Sequence, residues 1–531
     1  MKGIVCSAIA TSCGEAEGVP RAGVRAASRL RLRAPHIVGA LACALAWLLP
    51  AGTLRAAEGD GLHATPSVYW QDGDHRLDLG VEFRWRPEWW DATQGSTDGI
   101  QGLRTRVHAQ YDFRKLVTAF AEFQDARVLH MGADASGAAQ LYQRFSESPT
   151  DSATSGQDIR QGWLEVRPLQ GLAIRGGRMD VNLGTQTPAA EANWRYLQLW
   201  RAALRLVGTV VWTNGERSND GGSLAYETDA YHLFVFGANP TTGVFDIHKA
   251  YEHQSNLVHG GVQLTAKRGT WLPNTEVRTF FLGYRDGRPA REAGSNDGQN
   301  VVTTGAMDID IYTFGFSSIG VYPLGAGLAD LFVWGAGQLG EFNGRDHAAG
   351  AGIFEAGYRL PELPAKPWLR LGINVASGGD TSGDHTTFHN LLPTNHPYYG
   401  FADQLAFQNL MDLFGQLKLQ PHEKVGLNLM LHHFRLLNAK DAQYFGSGAF
   451  SKQGTKAGAF GYGGVPASTH GFNHDVGTEL DVVIDWKLHP HAALQGGYAY
   501  LWGGDVFKAK TRTTTSDRDV QFGYLQLSLS Y

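Results

Sequence analysis

An all-β fold is what the sequence predicts, built as one closed antiparallel barrel, and three observations carry the prediction. Apolar and polar residues alternate in stretches of about 8 to 12 residues, the period-2 signature of strands whose two faces meet different surroundings. The spacers between these stretches alternate between short and long. No stretch beyond the first 57 residues approaches the roughly 18 consecutive apolar residues of a membrane-crossing helix.

The beginning of the chain has a different layout. Arg21, Arg25, Arg29, Arg31 and Arg33 precede the apolar run IVGALACALAWLL (37–49), and Ala56 and Ala57 follow. That order of charged, apolar and small residues is the order of a secretory signal peptide. We assign residues 1–57 to this leader and 58–531 to the barrel, with 58–75 as a periplasmic N-terminal segment. Cys6, Cys13 and Cys43 all lie in the leader, so disulfides, zinc-thiolate sites and thiol catalysis are excluded from the rest. Residues 1–57 carry seven Lys/Arg and two Asp/Glu, which leaves 39 basic residues against 49 acidic ones. That balance disfavours a nucleic-acid partner.

The strands follow in order as LDLGVEFRW (77–85), LRTRVHAQYDF (103–113), WLRLGINVAS (368–377), VGLNLMLHHF (425–434), TELDVVIDWKL (478–488) and YLQLSLSY (524–531). In the last, Leu525, Leu527, Leu529 and Tyr531 share one face, and Tyr524, Gln526, Ser528 and Ser530 share the other. A soluble sandwich shows the same alternation, so the spacers decide. Short ones carry Pro, Gly or charge: RPLQG (167–171), YPLGAG (322–327), LPELPAKP (360–367), LQPHEK (419–424) and LHPHAA (488–493). Long ones, 131–157, 378–404 and 437–477, are rich in Gly, Asn and Asp. Tight periplasmic turns and long outer loops are the expectation for a barrel in the outer membrane of a Gram-negative bacterium, here with about 18 strands. The terminal strand is expected to seal the cylinder, its leucines toward lipid and Tyr531 in an interfacial girdle. A barrel of that size is too wide for side chains alone to fill, so it holds a channel or a plugged channel.

The alternation also sorts the charges. Val81, Phe83 and Trp85 face lipid, so Glu82, Arg84 and Arg86 face the lumen. Arg104, Arg106, His108, Gln110 and Asp112 point inward on the next strand, as do Arg370 and Asn374 later, and Glu479, Asp481, Asp485 and Lys487 near the end. An arginine facing lipid at the membrane midplane costs about 2–4 kcal/mol, so inward placement is energetically forced. Two readings of these arginines stand side by side: they pair with lumenal acids and brace the wall, or they converge at a constriction and bind passing anions bidentately. Between the fifth and sixth strands, WRYLQLWRAALRLVGTVVWTNGERSNDGG (194–222) carries Arg195, Arg201, Arg205 and Arg217. It is long enough to fold into the lumen and narrow it, or to form a surface loop with a short helix. The candidate lining residues are Arg84, Arg104, Arg106, Arg178, Arg201, Arg205 and Arg370, with Asp220 as a counter-charge. For Arg178, the phase of Leu172 and Ile174 gives an outward direction unless a bulge intervenes.

The segment GINVASGGDTSGDHTTFHNLLPTNHPYYGFADQ (372–404) resembles the signature of the alginate export family of outer-membrane proteins. The matching positions are Ser382-Gly383-Asp384, Thr387-Phe388, Leu392-Pro393-Thr394, His396, Tyr398-Tyr399-Gly400 and Asp403. GTELDVVIDWKLHPHAALQGGYAYLWGGD (477–505) and RLVGTVVWTNGERSNDGGSL (205–224) are similar to further parts of the family pattern; in the latter, Asn219-Asp220 stands where the pattern has an aromatic residue. The resemblance implies an 18-stranded barrel whose arginine-lined pore passes an acidic polysaccharide, gated by outer loops and a periplasmic segment. It implies as partners an acidic polysaccharide or other anionic solute, outer-membrane lipid and lipopolysaccharide, and periplasmic export machinery, with the barrel a monomer and no cofactor.

Other classes are weaker. An outer-membrane enzyme needs an acid-base cluster or a nucleophile, and the chain offers only scattered His385, His389, His396, Asp380 and Asp384, in a spacing that matches no metal motif. His432 and His433 read as one lumen residue and one rim residue. A general uptake porin for small sugars or aromatic compounds shares the barrel and differs only in the pore.

Overall fold

The computed structural model describes residues 55–56, 68–92, 96–132, 142, 146, 151–254, 256–289, 305–380, 383–444, 464–465, 467–510 and 519–531. The stretch expected to be a leader, apart from Arg55 and Ala56, and the following segment as far as residue 67 lie outside the described residues, as does Ser382.

Eighteen antiparallel strands close into a barrel: β1 (His75–Ala92), β2 (Ser96–Phe113), β3 (Val117–Leu129), β4 (Ala153–Leu169), β5 (Leu172–Met179), β6 (Asn219–Glu227), β7 (Tyr231–Pro240), β8 (Leu257–Ala266), β9 (Thr275–Asp286), β10 (Ile309–Leu324), β11 (Gly327–Phe342), β12 (Arg345–Arg359), β13 (Trp368–Ala376), β14 (Leu410–His422), β15 (Val425–Leu436), β16 (Asp475–His489), β17 (Ala492–Gly503) and β18 (Val520–Ser530). Each strand pairs with its neighbours in sequence, and β18 closes on β1 with Gln521 opposite Asp91 and Ser530 opposite Glu82. Tyr531 finishes the seam: its N–H donates to the Val81 carbonyl at 2.9 Å, and its carbonyl accepts from the Val81 N–H at 2.7 Å. Closure is what a sheet in hydrocarbon requires, since an open edge would leave its backbone donors and acceptors unpaired. The N-terminal strand Val68–Asp72 pairs with the first residues of β1, Val68 opposite Leu79, beyond the point where β18 ends.

The alternation holds along the wall. On β13, Leu369 and Leu371 are 54% and 60% exposed to the outside, whereas Arg370 and Asn374 between and beside them are fully buried in the lumen. On β18, Leu525 and Leu529 are exposed and Tyr524 is buried. All five short spacers named from the sequence lie at the periplasmic ends, and the three long ones at the outer ends. Two outer connections are nevertheless short, 93–95 and 343–344, so the loops that cover and enter the bore come from elsewhere on the rim. Exposed Tyr111, Tyr226, Trp271, Tyr322, Trp486 and Tyr531 lie near the periplasmic strand ends, and Trp89, Tyr312 and Trp502 near the outer ends. These are the amphipathic rings of two interfacial girdles.

Candidate functional site

The bore is occupied by the chain's own residues 180–218. β5 has 8 residues where β4 has 17, so the chain leaves the wall partway up and turns inward. Inside it forms a short helix, α1 (Ala192–Tyr196), that runs into a π-helical turn, Leu197–Ala202, a geometry frequent at functional sites. Leu197, Leu204, Leu206, Val207 and Val210 are buried, as are Phe388, Leu391, Leu392 and Phe407 of the outer loop 377–409. The two segments meet inside the barrel at a parallel bridge between Val207 and Leu392. Leu392 N–H donates to the Leu206 carbonyl at 2.8 Å, Gly208 N–H to the Leu392 carbonyl at 2.8 Å, and Thr394 N–H to the Leu204 carbonyl at 3.1 Å. Backbone that leaves the wall must find partners, and here the two loops supply each other's.

Two clusters of arginines fix this inserted segment. The first centres on Glu216, at the segment's far end. Arg104 from β2 bonds it directly; Arg106 from β2 reaches it at 2.8 Å and Arg160 from β4 at 2.7 Å. Around them, Arg104 also holds Glu82 at 2.6 Å, and Arg160 holds Glu122 at 3.0 Å and Asp180 at 2.7 Å. Alongside, Arg84 donates to the carbonyls of Val211 (3.2 Å) and Thr213 (3.0 Å) and to Asn214 Oδ1 (2.6 Å), with no carboxylate among its hydrogen-bond partners in the described residues. Arg86 bonds the Trp212 carbonyl at 2.5 Å and lies 3.7 Å from that residue's ring centre.

The second centres on Glu355 of β12. Arg201 grips it with both arms, at 2.7 and 2.9 Å, Arg205 reaches it at 3.2 Å, and Arg370 of β13 at 3.0 Å while also holding Asp330 at 3.0 Å. Three guanidinium groups thus face two carboxylates. Burial works against the charge of Arg201, but the Glu355 carboxylate more than offsets it and holds the guanidinium pKa above its ordinary value. Arg205 donates to the Tyr399 hydroxyl at 3.0 Å and stacks 3.8 Å from the Tyr398 ring centre. Burial pushes the Tyr398 hydroxyl up to about 12, so it stays a neutral donor, bonded to the Ala203 carbonyl at 2.5 Å.

The family model for alginate export matches residues 75–521 of this sequence. This chain belongs to the alginate export family. No curated protein sequence matches it significantly. Among solved structures it is similar to three outer-membrane proteins of Pseudomonas aeruginosa. OccK8 (OprE) is 8% identical, with 86% of this chain and 98% of that one covered and a TM-score of 0.53. OccK9 (OpdG) is 11% identical over 86% and 98%, with a TM-score of 0.53. OccK2 (OpdF), solved in complex with glucuronate, is 10% identical over 86% and 97%, with a TM-score of 0.50. At such identities the likeness shows the fold: this alginate export family member is an outer-membrane channel of porin architecture.

The family motif lies inside the barrel, where it anchors the second loop. Gly400 has φ 84°, and a Cβ there would sit 2.5 Å from Glu479 Oε1. The close approach lets the Ala402 N–H donate to Glu479 at 2.9 Å. Gly400→Ala is expected to strain this turn by about 1–3 kcal/mol and to open Tyr398 and Tyr399, each 1% exposed, to chymotrypsin in the folded barrel. Unchanged protease resistance would count against the contact. His396 stacks 3.9 Å from Trp212 and bonds Asp403 at 2.7 Å, tying the motif to the inserted segment. His385 instead lies against Phe342 and contacts His347 at 2.7 Å. His432 faces the lumen and bonds Asp412 at 2.9 Å, while His433 takes the outward phase beside Thr478.

Of the sequence candidates, Arg84, Arg104, Arg106, Arg201, Arg205 and Arg370 all lie in the bore. Arg178 and Asp220 do not. They occupy the outward phase of β5 and β6, directly opposite one another and joined by two hydrogen bonds of 2.7 and 2.8 Å. No bulge interrupts β5, so the phase set by Leu172 and Ile174 carries through to Arg178, and Asp220 neutralises it beside the Tyr251 carbonyl. Sequence reasoning missed Glu216 and Glu355, the two carboxylates on which the arginines converge. The phase of β12, with Phe354 exposed, marks Glu355 as inward. Arg160 sits where the β3–β4 register shifts, and strict alternation cannot find it.

Proposed function

We propose that the channel passes acidic, alginate-like polysaccharide or other anionic solutes, with the bore arginines as their contacts. The observation that supports this most is the Glu216 cluster. Three wall guanidiniums, Arg104, Arg106 and Arg160, converge on one carboxylate of a segment that does not belong to the wall. A uronate carboxylate offers the same planar, bidentate chemistry, so the loop's own acid holds the place that a substrate carboxylate takes when the segment withdraws. Arg84, whose hydrogen-bond partners among the described residues are carbonyl and amide oxygens, and the three-against-two balance at Glu355 add positive surplus along the path. The uronate found with OccK2 is consistent with that chemistry. A barrel has no energy source of its own, so direction is set by a gradient or by periplasmic machinery.

A second reading, a diffusion porin for small sugars or aromatic compounds, draws on one feature: Phe120 stacks on Trp163 at 5.1 Å on the inner wall, with Arg175 over the indole at 3.9 Å. Current through the purified barrel in a planar bilayer separates the two. A mannuronate hexamer is expected to block it, and a neutral oligosaccharide of equal length to block far less. Equal block by both would favour the diffusion porin and overturn the anionic reading.

A further inference from the structure

Two cavities occupy the periplasmic half of the bore, and their charges differ in kind. The larger, about 830 Å³, runs along the wall from β1 to β7. Its cations Arg76, Arg106, Arg160 and Arg175 are matched by Asp78, Glu82, Glu122, Glu165 and Asp180. The second, about 640 Å³, lies under α1 along β12 to β18. It is lined by Arg359, Lys366, Lys418, Lys424 and Lys487, with Arg195 from α1, and its only carboxylates are Glu423 and Asp485. Asp485 is already engaged by Gln495 at 2.6 Å. Among the described residues no ion pair joins Arg359 or any of the four lysines to an acid.

These cations are built into the mouth. Arg359 and Lys418 stand on the inward phases of β12 and β14; Lys366 and Lys424 lie in the adjoining periplasmic turns, and Lys487 ends the inward row of β16. The Lys418 ammonium is held 3.3 Å from the ring centre of Tyr196, and Arg359 lies 5.7 Å from that of Trp368. Trp200, on the π-helical turn, lines the same cavity with 40% of its surface exposed. Unpaired cations beside flat apolar rings suit a ligand that carries carboxylates on sugar rings: the cations meet the charges, and the ring faces cover the CH surfaces.

We propose that this lysine-rich vestibule is the docking site at which an acidic glycan chain is first captured from the periplasm. The inference rests on the anionic reading above and extends it: capture is assigned to residues distinct from the arginines that grip the inserted segment. A low-dielectric funnel with an excess of one sign raises association rates by about 10- to 1,000-fold, steeply dependent on ionic strength.

The test is the triple variant Lys366→Gln/Lys424→Gln/Lys487→Gln, whose side chains are exposed, with barrel folding checked by heat-modifiable gel mobility. In planar bilayers, with orientation marked by a thiol-reactive tag at Glu362→Cys, the on-rate of block by a mannuronate hexamer added on the periplasmic side is expected to fall about tenfold or more. Its dependence on salt should flatten, and block from the outer side should change little. If the triple variant folds poorly, Lys366→Gln and Lys487→Gln alone should each give part of the effect. An on-rate unchanged in the folded variant, while the parent channel is still blocked, overturns the vestibule alone. A parent channel that the hexamer blocks from neither side overturns the anionic reading and the vestibule with it.

Discussion

Glu355→Ala is expected to free the middle of the inserted segment. The substitution leaves Arg201, Arg205 and Arg370 buried around a gap, with Asp330 as the remaining carboxylate. Stranding buried charge in this way costs about 3–5 kcal/mol, which is more than the local backbone bridge with loop 377–409 can absorb, whereas the eighteen-stranded wall keeps its own hydrogen bonds. The measurement is limited trypsin digestion of the folded barrel. Arg201 and Arg205, at 1% and 2% exposure, are protected in the parent and should be cut in the variant. Removing Arg201 together with Glu355 should restore part of the protection, because one stranded cation disappears with its partner. A variant as resistant as the parent would mean that Glu355 is not what holds the segment.

Replacing residues 186–212 with a short Gly/Ser linker is the second large effect. The wall strands β5 and β6 pair with each other over Leu172–Met179 and Asn219–Tyr226, so they need only a connection, and the segment's packing is directed into the bore. An 18-stranded cylinder without an insert leaves an aqueous channel. Single-channel conductance should rise several-fold, with Arg84 and Arg86, released from the Val211 and Trp212 carbonyls, turned to the open path. Conductance equal to that of the parent would show that the segment does not set the width of the path.

The fold was legible because its rules are local. Period 2 is forced on any strand with lipid on one side and water on the other, so LDLGVEFRW or WLRLGINVAS reveals both the strand and the direction of its arginines. Loop-length segregation gave the membrane orientation. The site was legible only in part: the inward phases of Arg84, Arg104, Arg106 and Arg370 follow from their own strands, and the length of 194–222 marked an insert. What these arginines touch depends on where an irregular segment lies across the barrel, and no periodicity encodes that. The join of Val207 to Leu392, 185 residues apart, is a tertiary fact. Arg178 shows the converse: its own strand's phase already pointed outward, and the attraction of one more arginine for the pore overrode a sound local signal. The lysine vestibule was hidden because its members sit in turns and strand ends spread over five strands, each unremarkable in its own stretch.

The most direct measurement is the reversal potential of the purified channel across a potassium chloride gradient. A bore that turns Arg84, Arg201, Arg205 and Arg370 inward, behind a mouth of unpaired lysines, should carry chloride in preference to potassium, and the preference should weaken as salt screens the charges. A potassium-selective channel would contradict that arrangement.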